Sequence, residues 1–353
     1  MECLLVTGGA GFIGSHLVRL AVERGLRVVD LDALTYAGNP RNLEGIPTER
    51  HVFVEGSVND RALLARLLEE HRPDAVIHLA AESHVDRSLD DPTLFVRTNI
   101  NGTFELLEAT LDHWKGIGPG ERERFRYLQV STDEVYGSVK TGFSREGDPY
   151  DPRSPYAASK AAADHLVRSF HHAHGLPTLV TSCGNNYGPR QAPEKLIPRA
   201  ILCLLAGERL PIYGRGENVR DWIFVEDHCR ALLEVVGQGE PGRTYHVGAE
   251  DRRRNLDVAS TICAVLDELR PRADGARHEE SIAFVEDRPG HDLRYALDVS
   301  RIRDELGWEA ELSFEDGLRR TVSWYLENDA WVTEALARPD ALSRQGLGRT
   351  ERT

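Results

Sequence analysis

The chain has 353 residues, enough for one large α/β domain or for a nucleotide-binding domain with a smaller companion. Its formal net charge of −14 argues against nucleic acid as the main partner, because no basic excess is available to neutralise phosphates. The sequence contains no apolar stretch of about 18 residues and no basic region typical of a signal peptide. Five widely spaced cysteines favour reduced thiols, and hence a cytoplasmic protein, over a disulfide framework or a zinc site.

Apolar runs alternate with amphipathic segments along most of the chain, which predicts a parallel sheet flanked by helices. The predicted strands are 2–7, 26–31, 51–54, 74–79, 125–130 and 244–247, and the predicted helices are 15–24, 60–71, 92–113, 155–174, 225–237 and 255–270. This order predicts an α/β fold, a Rossmann-type doubly wound parallel sheet with a smaller, interleaved C-terminal substrate-binding domain. We expect a nucleotide-binding domain over 1–184, a mainly substrate-binding domain over 185–336 and a disordered tail over 337–353.

A glycine-rich turn follows the first predicted strand. Gly8, Gly11 and Gly14 allow a tight turn, a close approach of the backbone to a pyrophosphate and close helix–strand packing. Their spacing is GxxGxxG rather than GxGxxG. Asp32 follows the second strand, where a carboxylate accepts hydrogen bonds from the ribose hydroxyls of NAD and repels the 2′-phosphate of NADP. Asp30 competes for this role, but Asp32 is closer to the strand end, so NAD is the predicted cofactor.

Acid–base residues follow the strand at 125–130. Thr132, Asp133 and Glu134 come directly after it, where two carboxyl groups can supply a proton donor and a separate proton acceptor. Tyr156 and Lys160 are four residues apart in a predicted helix and therefore share one face, so that the ammonium can stabilise a phenolate. Simple alcohol oxidation needs only one base. The additional acid–base pair therefore indicates that water is eliminated as well.

A histidine group in the helix at 155–174 is the one candidate for a metal site that the sequence offers. It consists of His165, His171, His172 and His174. Few carboxylates or cysteines accompany these histidines, which favours a solvated or packed helix face. We therefore expect no metal.

With these residues placed, the chain resembles the extended short-chain dehydrogenase/reductase family, and within it the branch that dehydrates dTDP-glucose. The resemblance covers roughly residues 3–328. It rests on the segments 32–39, 78–88, 131–137, 185–189, 193–198, 210–214, 220–222 and 287–292. The Thr132-Asp133-Glu134 sequence best distinguishes this branch from its relatives. Related epimerases, decarboxylases and GDP-mannose dehydratases usually carry other residues at one or both acidic positions.

The resemblance implies conversion of dTDP-glucose to dTDP-4-keto-6-deoxy-glucose by a cytoplasmic homodimer that recycles NAD in each turnover. The dimer would pair the helices at 92–113 and 155–174, and Thr132, Asp133, Glu134, Tyr156 and Lys160 would be catalytic. The positions that would contact NAD are Gly8, Gly11, Phe12, Ile13, Gly14, Asp32, Ala33, Leu34, Thr35, Ser57, Val58, Leu79, Ala80, Ala81, Ser83, Thr98, Tyr156, Lys160 and Asn186. The positions that would contact the nucleotide sugar are Ser83, Thr132, Asn185, Lys195, Leu196, Pro211, Ile212, Tyr213, Arg220, Asn255, Asp287, Arg288 and His291.

Two segments depart from the family pattern. Ser57 stands where the family usually has an aspartate, so a hydroxyl replaces the expected carboxylate contact to adenine, and the sequence at 182–184 is also unusual. Three rival hypotheses remain: a sugar-nucleotide epimerase of the same fold, a 4,6-dehydratase for another nucleotide sugar, and a non-catalytic NAD-binding regulator.

Overall fold

A parallel sheet of seven strands is the central feature of the computed structural model, which describes residues 1–287 and 291–337. The strands of the described chain are β1 Cys3–Thr7, β2 Arg27–Asp32, β3 His51–Glu55, β4 Ala75–His78, β5 Arg126–Thr132, β6 Thr178–Cys183, β7 Asn185–Tyr187, β8 Leu210–Tyr213, β9 Val219–Phe224, β10 Thr244–Val247, β11 Arg252–Arg254 and β12 Ile282–Val285. The central sheet has the order β10-β6-β5-β4-β1-β2-β3. This order, which reverses direction beside β1, confirms the predicted Rossmann-type fold.

Helices occupy most of the sequence between the strands. They are α1 Phe12–Glu23, α2 Arg61–His71, α3 Val85–Asp90, α4 Pro92–Phe95, α5 Thr103–Gly116, α6 Pro119–Arg124, α7 Pro155–His174, α8 Leu196–Leu205, α9 Val225–Gln238, α10 Asn255–Leu269, α11 Ser300–Leu306, α12 Phe314–Glu327 and α13 Asp329–Leu336. In the part of the chain that the structure describes, none of them is both long and apolar enough to span a membrane.

Apolar side chains cover both faces of the central sheet, as a doubly wound fold requires. On one face, Leu17 of α1 and Val235 of α9 pack in one buried cluster. On the other, Leu64 of α2, Leu107 of α5 and Val167 of α7 pack in a second cluster. The central sheet is therefore packed between two layers of helices.

The C-terminal part of the chain is interleaved with this sheet. Strand β10 pairs with β6 in parallel, and Ile302 of α11 packs in the same cluster as α1. A separate cluster contains Ile201 of α8, Ile262 of α10 and Leu318 of α12. The interleaving is thus as predicted. The boundary at 184/185 stays a prediction, and residues 338–353 of the predicted tail lie outside the described residues.

The helix predicted over 92–113 contains an irregular turn. A π-helical segment, Val96–Gly102, lies between α4 and α5. Its buried Asn99 donates through Nδ2 to the Glu82 carbonyl at 3.0 Å and to Ser159 Oγ at 2.8 Å, and its Oδ1 accepts from the Glu82 amide at 2.8 Å. The segment after β4 is thereby tied to α7. Such π segments are frequent at functional sites.

Replacement of this asparagine tests how much that link contributes. Asn99→Ala leaves buried backbone groups of Glu82 unpaired, so we expect the free energy of unfolding to fall by about 2 kcal/mol or more. Asn101→Ala, at an exposed position of the same segment, is the matched control and should change it by less than about 0.5 kcal/mol. Denaturant titration of both variants makes the comparison; equal losses would contradict this role of Asn99.

Candidate active site

A cavity lies at the carboxyl edge of the central sheet, where ligands of doubly wound sheets bind. The predicted cofactor positions in its wall are Gly8, Gly11, Phe12, Ile13, Gly14, Asp32, Ala33, Thr35, Ser57, Val58, Leu79, Ala80, Ala81, Ser83, Thr98, Tyr156, Lys160 and Asn186. Leu34 is not in the wall. It has a positive φ of 48°, and its amide donates to Asp32 Oδ1 at 2.8 Å, so it shapes the turn that presents Asp32.

The glycine turn, which borders the cavity, packs so closely that side chains on it would collide with neighbouring backbone atoms. A Cβ on Gly14 would lie 2.0 Å from the Gly8 carbonyl oxygen, and one on Gly8 would lie 2.8 Å from the Ala80 nitrogen. Gly11 caps α1 without a side chain, so the positive end of that helix borders the cavity. A close backbone wall with a helix N-terminus fits the diphosphate of a dinucleotide such as NAD.

The two acids of β2 have different positions. Asp30 is fully buried, and its Oδ1 accepts from the Gly9 amide at 3.0 Å, which stabilises the glycine turn. Asp32 lines the cavity, and its Oδ2 accepts from the Ala10 amide at 3.0 Å. Burial raises the pKa of Asp32 to about 6, and the nearby Asp30 adds to the rise. Asp32 is therefore the acid of this pair that is positioned to contact a ribose.

The acid pair lies where β5 ends and a short 3₁₀ turn, Asp133–Tyr136, begins. The Thr132 hydroxyl accepts from the Glu134 amide at 3.3 Å and donates to Asp133 Oδ1 at the same distance. Asp133 Oδ2 is buried without a hydrogen-bond partner in the described chain. Burial, and secondarily the charge of Glu134, raises the pKa of Asp133 to about 8. Asp133 therefore keeps its proton near neutrality, as a general acid must.

The tyrosine and the lysine share a face of α7, which the Ser154 side chain caps. Both Tyr156 and Lys160 are buried and line the cavity. The Lys160 ammonium donates to the Val130 carbonyl at 2.6 Å, and burial lowers the pKa of Lys160. Burial raises the pKa of Tyr156 well above 10, while the Thr132 hydroxyl lowers it. A phenolate here thus depends on stabilisation by its immediate neighbours.

A second pocket adjoins the cavity. The predicted substrate positions in its wall are Asn185, Lys195, Leu196, Pro211, Ile212, Tyr213, Arg220, Asn255 and His291, while Ser83 and Thr132 line the first cavity. Glu134 and Lys195 belong to both walls, so the two spaces lie side by side. Asp287 is not in either wall, but its Oδ1 lies 2.7 Å from His291 Nδ1. Arg288 lies outside the described residues.

The Arg220 side chain is held more firmly than the sequence indicates. Its guanidinium donates to the Asp292 carbonyl and to its neighbour Val219, both at 2.8 Å. It also stacks 4.1 Å from the centroid of the Tyr295 ring. The predicted bidentate contact to a diphosphate therefore involves a guanidinium that the protein itself already holds in place. Its charge also lowers the pKa of Asp133, against the effect of burial.

Several residues in and around the two walls were not predicted. Glu194 lines both spaces, and its position directly before Lys195 is a signal that could have identified it. Tyr295 donates to Asp292 Oδ2 at 2.8 Å, and burial, with the charge of Glu134 second, raises the pKa of its phenol. No local pattern connects Tyr295 to the acid pair, because the two are far apart in sequence. Among the described residues, no group of three or more His, Cys, Asp or Glu side chains is arranged to hold a metal.

A Tyr-x-x-x-Lys pair beside a glycine-rich dinucleotide turn is typical of short-chain dehydrogenase/reductases, and comparisons with known proteins show which family of these the chain belongs to. A family model described as GDP-mannose 4,6 dehydratase matches residues 5–321. The dTDP-glucose 4,6-dehydratase of Xanthomonas campestris pv. campestris strain B100 is 56% identical over 98% of this chain and 99% of its own. The dTDP-glucose 4,6-dehydratase 1 of Escherichia coli K12 is 49% identical over 93% of this chain and 94% of its own. The chain therefore belongs to the dTDP-glucose 4,6-dehydratase family.

Solved structures agree with this assignment. DesIV, a dTDP-glucose 4,6-dehydratase from Streptomyces venezuelae solved with NAD and TYD bound, matches with a TM-score of 0.85 and 46% identity. That match covers 94% of this chain and 98% of DesIV. A UDP-glucose 4-epimerase from Thermotoga maritima has a TM-score of 0.82 at 29% identity, over 93% of this chain and 99% of its own. The fold is thus shared between dehydratases and epimerases, and the site must distinguish them.

The raised pKa of Asp133 predicts a pH-dependent stability difference. Since the folded pKa is about 8 and the unfolded value 3.8, the folded state binds the extra proton between them, and this group weakens folding progressively as pH rises through that interval. Asp133→Asn should therefore raise Tm increasingly between pH 4 and 8, reaching roughly 2 °C or more. Glu69→Gln, on the exposed side of α2, is the control. A thermal-melt difference independent of pH would contradict the assignment.

Proposed function

We propose that this protein dehydrates dTDP-glucose to dTDP-4-keto-6-deoxy-glucose and recycles NAD in each turnover. The observation that carries the proposal is the buried Asp133 carboxyl, which holds its proton beside Glu134 in the cavity that Tyr156 and Lys160 line. An oxidation alone needs one base, whereas elimination of water also needs a proton donor for the departing hydroxyl. The dTDP-glucose 4,6-dehydratases to which the chain is similar support this choice.

The proposed chemistry gives each acid–base side chain of the site a role in proton transfer. When bound, NAD accepts a hydride from C4 of the sugar and later returns it to C6. Tyr156, stabilised as phenolate by Lys160 and Thr132, removes the proton of the 4-hydroxyl. Glu134 removes the C5 proton that the new ketone has acidified, and Asp133 protonates the departing 6-hydroxyl. Glu134 then returns the proton to C5 as the hydride is delivered to C6, which completes the product.

The glycine turn and Asp32 are proposed to hold the cofactor. The α1 N-terminus would face the diphosphate, and the Asp32 carboxylate would accept hydrogen bonds from the adenosine ribose, since both border the cavity. Ser57 lines the same cavity, and its hydroxyl accepts from the Asn59 amide at 3.2 Å. Cofactor retention thus relies mainly on the glycine turn and the ribose contact.

The second pocket is proposed to hold the nucleotide end of the substrate. Tyr213 presents an aromatic ring to a pyrimidine, and Lys195 and Arg220 supply positive charge for the diphosphate. The Lys195 ammonium donates to the Ser83 carbonyl at 3.0 Å, which orients it at the junction of the two spaces. The pocket therefore has the chemical features that a pyrimidine diphosphate sugar needs.

A cytoplasmic homodimer is proposed for the assembly. Leu94, Val96 and Phe104 are 49%, 48% and 39% exposed along the helical stretch that leads into α5. Exposed apolar side chains on neighbouring turns are typical of a subunit interface. The five cysteines are unpaired and buried, as in a protein kept in a reducing compartment.

The rival hypotheses differ in what happens to the sugar. A purified sample is incubated with dTDP-glucose, UDP-glucose and GDP-mannose in parallel without added NAD, and product is read by mass. We expect loss of water from dTDP-glucose with cofactor that copurifies. An isomer of unchanged mass would instead mean an epimerase, and dehydration of another nucleotide sugar alone would replace the proposed substrate. No change in any sugar would favour a non-catalytic NAD-binding regulator.

The ribose contact can be tested separately by a binding measurement. Asp32→Ala removes the charged acceptor for the ribose, so we expect the Kd for NAD to rise by about tenfold or more. Glu55→Ala removes an exposed carboxylate from the paired end of β3 and serves as the control. Calorimetric titration of the cofactor-free proteins makes the comparison, and equal affinities would remove Asp32 from the cofactor site.

A further inference from the structure

A second carboxylate is buried next to the catalytic lysine but outside the cavity wall. Asp164 follows Lys160 by four residues on α7, so the two side chains share one helix face. Asp164 is completely buried, and Lys160 is only 5% exposed. A buried ammonium loses its proton unless an opposite charge compensates the lost hydration. Asp164 is the residue whose charge acts most strongly in that direction on Lys160.

The contacts of Asp164 hold its carboxylate in a defined place. Its Oδ2 accepts from Ser131 Oγ at 2.6 Å and from the Tyr150 hydroxyl at 3.0 Å. Its Oδ1 is buried and has no hydrogen-bond partner in the described chain. Arg168 donates to the Tyr150 hydroxyl at 2.6 Å and so supports the same network. Because Asp164 does not line the cavity, it has no contact through which to act on the substrate directly.

We propose that Asp164 is a positioning residue that keeps Lys160 protonated, and thereby keeps Tyr156 able to act as the base. The inference rests on the proposed function, because it concerns the base of that reaction. Asp164 acts through its charge, since the Lys160 ammonium donates its short hydrogen bond to the Val130 carbonyl. The carboxylate and the ammonium each favour the charged form of the other.

The surrounding groups do not replace this charge. Burial lowers the pKa of Lys160, whereas Asp164 and secondarily Cys183 raise it. Burial raises the pKa of Asp164, and Ser131, Lys160, Arg168 and Tyr150 oppose that rise. The titratable and charged groups around the pair are Asp133, Glu134, Tyr136, Glu146, Tyr150, Tyr156, Arg168, Cys183 and His78. The pKa of the Cys183 thiol is raised to about 12, so it stays neutral at working pH. The His78 pKa is lowered to about 3, so His78 supplies no charge either.

Removal of the charge tests the proposal through the pH profile. In Asp164→Asn, Lys160 loses its proton more readily, so a higher pH is needed to form the Tyr156 phenolate. In the pH profile of kcat/KM for dTDP-glucose, the acidic limb should shift to higher pH by about one unit. At pH values below the limb, kcat/KM should fall about tenfold. An unmoved or lowered limb in a folded variant overturns the proposal, because loss of a negative charge without loss of the Lys160 proton would favour the phenolate.

Two further variants separate charge from structure. Asp164→Glu keeps the charge and should restore the wild-type limb. Tyr150→Phe removes a donor to the same carboxylate while keeping the charge, so it should lower Tm but leave the limb within about 0.3 units. A limb that moves equally in Tyr150→Phe would assign a merely structural role. If Asp164→Asn does not fold, Asp164→Ser, which leaves room for water, takes its place.

Measurement of the wild-type enzyme in the same series separates failure of the proposed function from failure of the proposal for Asp164. Failure of the wild type to convert dTDP-glucose defeats the proposed function itself. Normal conversion with an unmoved limb in the folded Asp164 variants defeats the proposal for Asp164 alone.

Discussion

The removal of acid–base groups from water at the end of β5 is the constraint on which the site depends. Asp133, Tyr156 and Lys160 are each less than 10% exposed, and burial is the largest influence on the pKa of each. For Asp133 the effect is useful, because it preserves a proton for donation. For Tyr156 and Lys160 burial opposes the charged forms that the chemistry needs. In the proposed mechanism, the same environment therefore provides the acid and requires compensating charges for the base.

The fold meets this requirement by bringing distant segments to one edge. Strand β5 presents the acid pair, α7 presents Tyr156 and Lys160, and Asn99 links α7 to the segment after β4. The parallel sheet directs all these strand ends to the same side. Buried neighbours such as Asp164 then adjust charges without touching the cavity. The sheet and helices thus place the acid–base side chains, whereas buried neighbouring groups set their protonation.

Local patterns in the sequence were sufficient for much of the site. The glycine turn, the strand-end Asp32 and the helical spacing of Tyr156 and Lys160 each follow from a short segment with a known periodicity. The alternation of strands and helices likewise predicted six of the seven strands of the central sheet, including the return of β10, but it missed β6. These features depend on contacts between residues close in the chain, or on a topology with few alternatives.

Other features depend on tertiary contacts that no local pattern reveals. Tyr295 lies within electrostatic range of the acid pair, and its segment is held there against β9. The stacking of Arg220 on Tyr295 follows from the same packing. The π segment carries Asn99, whose bonds reach Glu82 in the loop after β4 and Ser159 of α7. The short strands β7, β9 and β11 form a sheet of their own, and their three to six residues carry too little periodicity to be predicted.

The most direct test of the proposed mechanism is a single-turnover reaction of Asp133→Asn with dTDP-glucose, in which the reaction is quenched rapidly and the products are identified by mass. The amide cannot protonate the departing 6-hydroxyl, whereas Tyr156 and Lys160 are unchanged. We therefore expect the 4-keto nucleotide sugar, which is lighter than dTDP-glucose by two hydrogens, to accumulate. The product lighter by one water should appear slowly. Equal loss of both steps, with no accumulated keto sugar, would contradict the assignment of Asp133 as the acid that expels water.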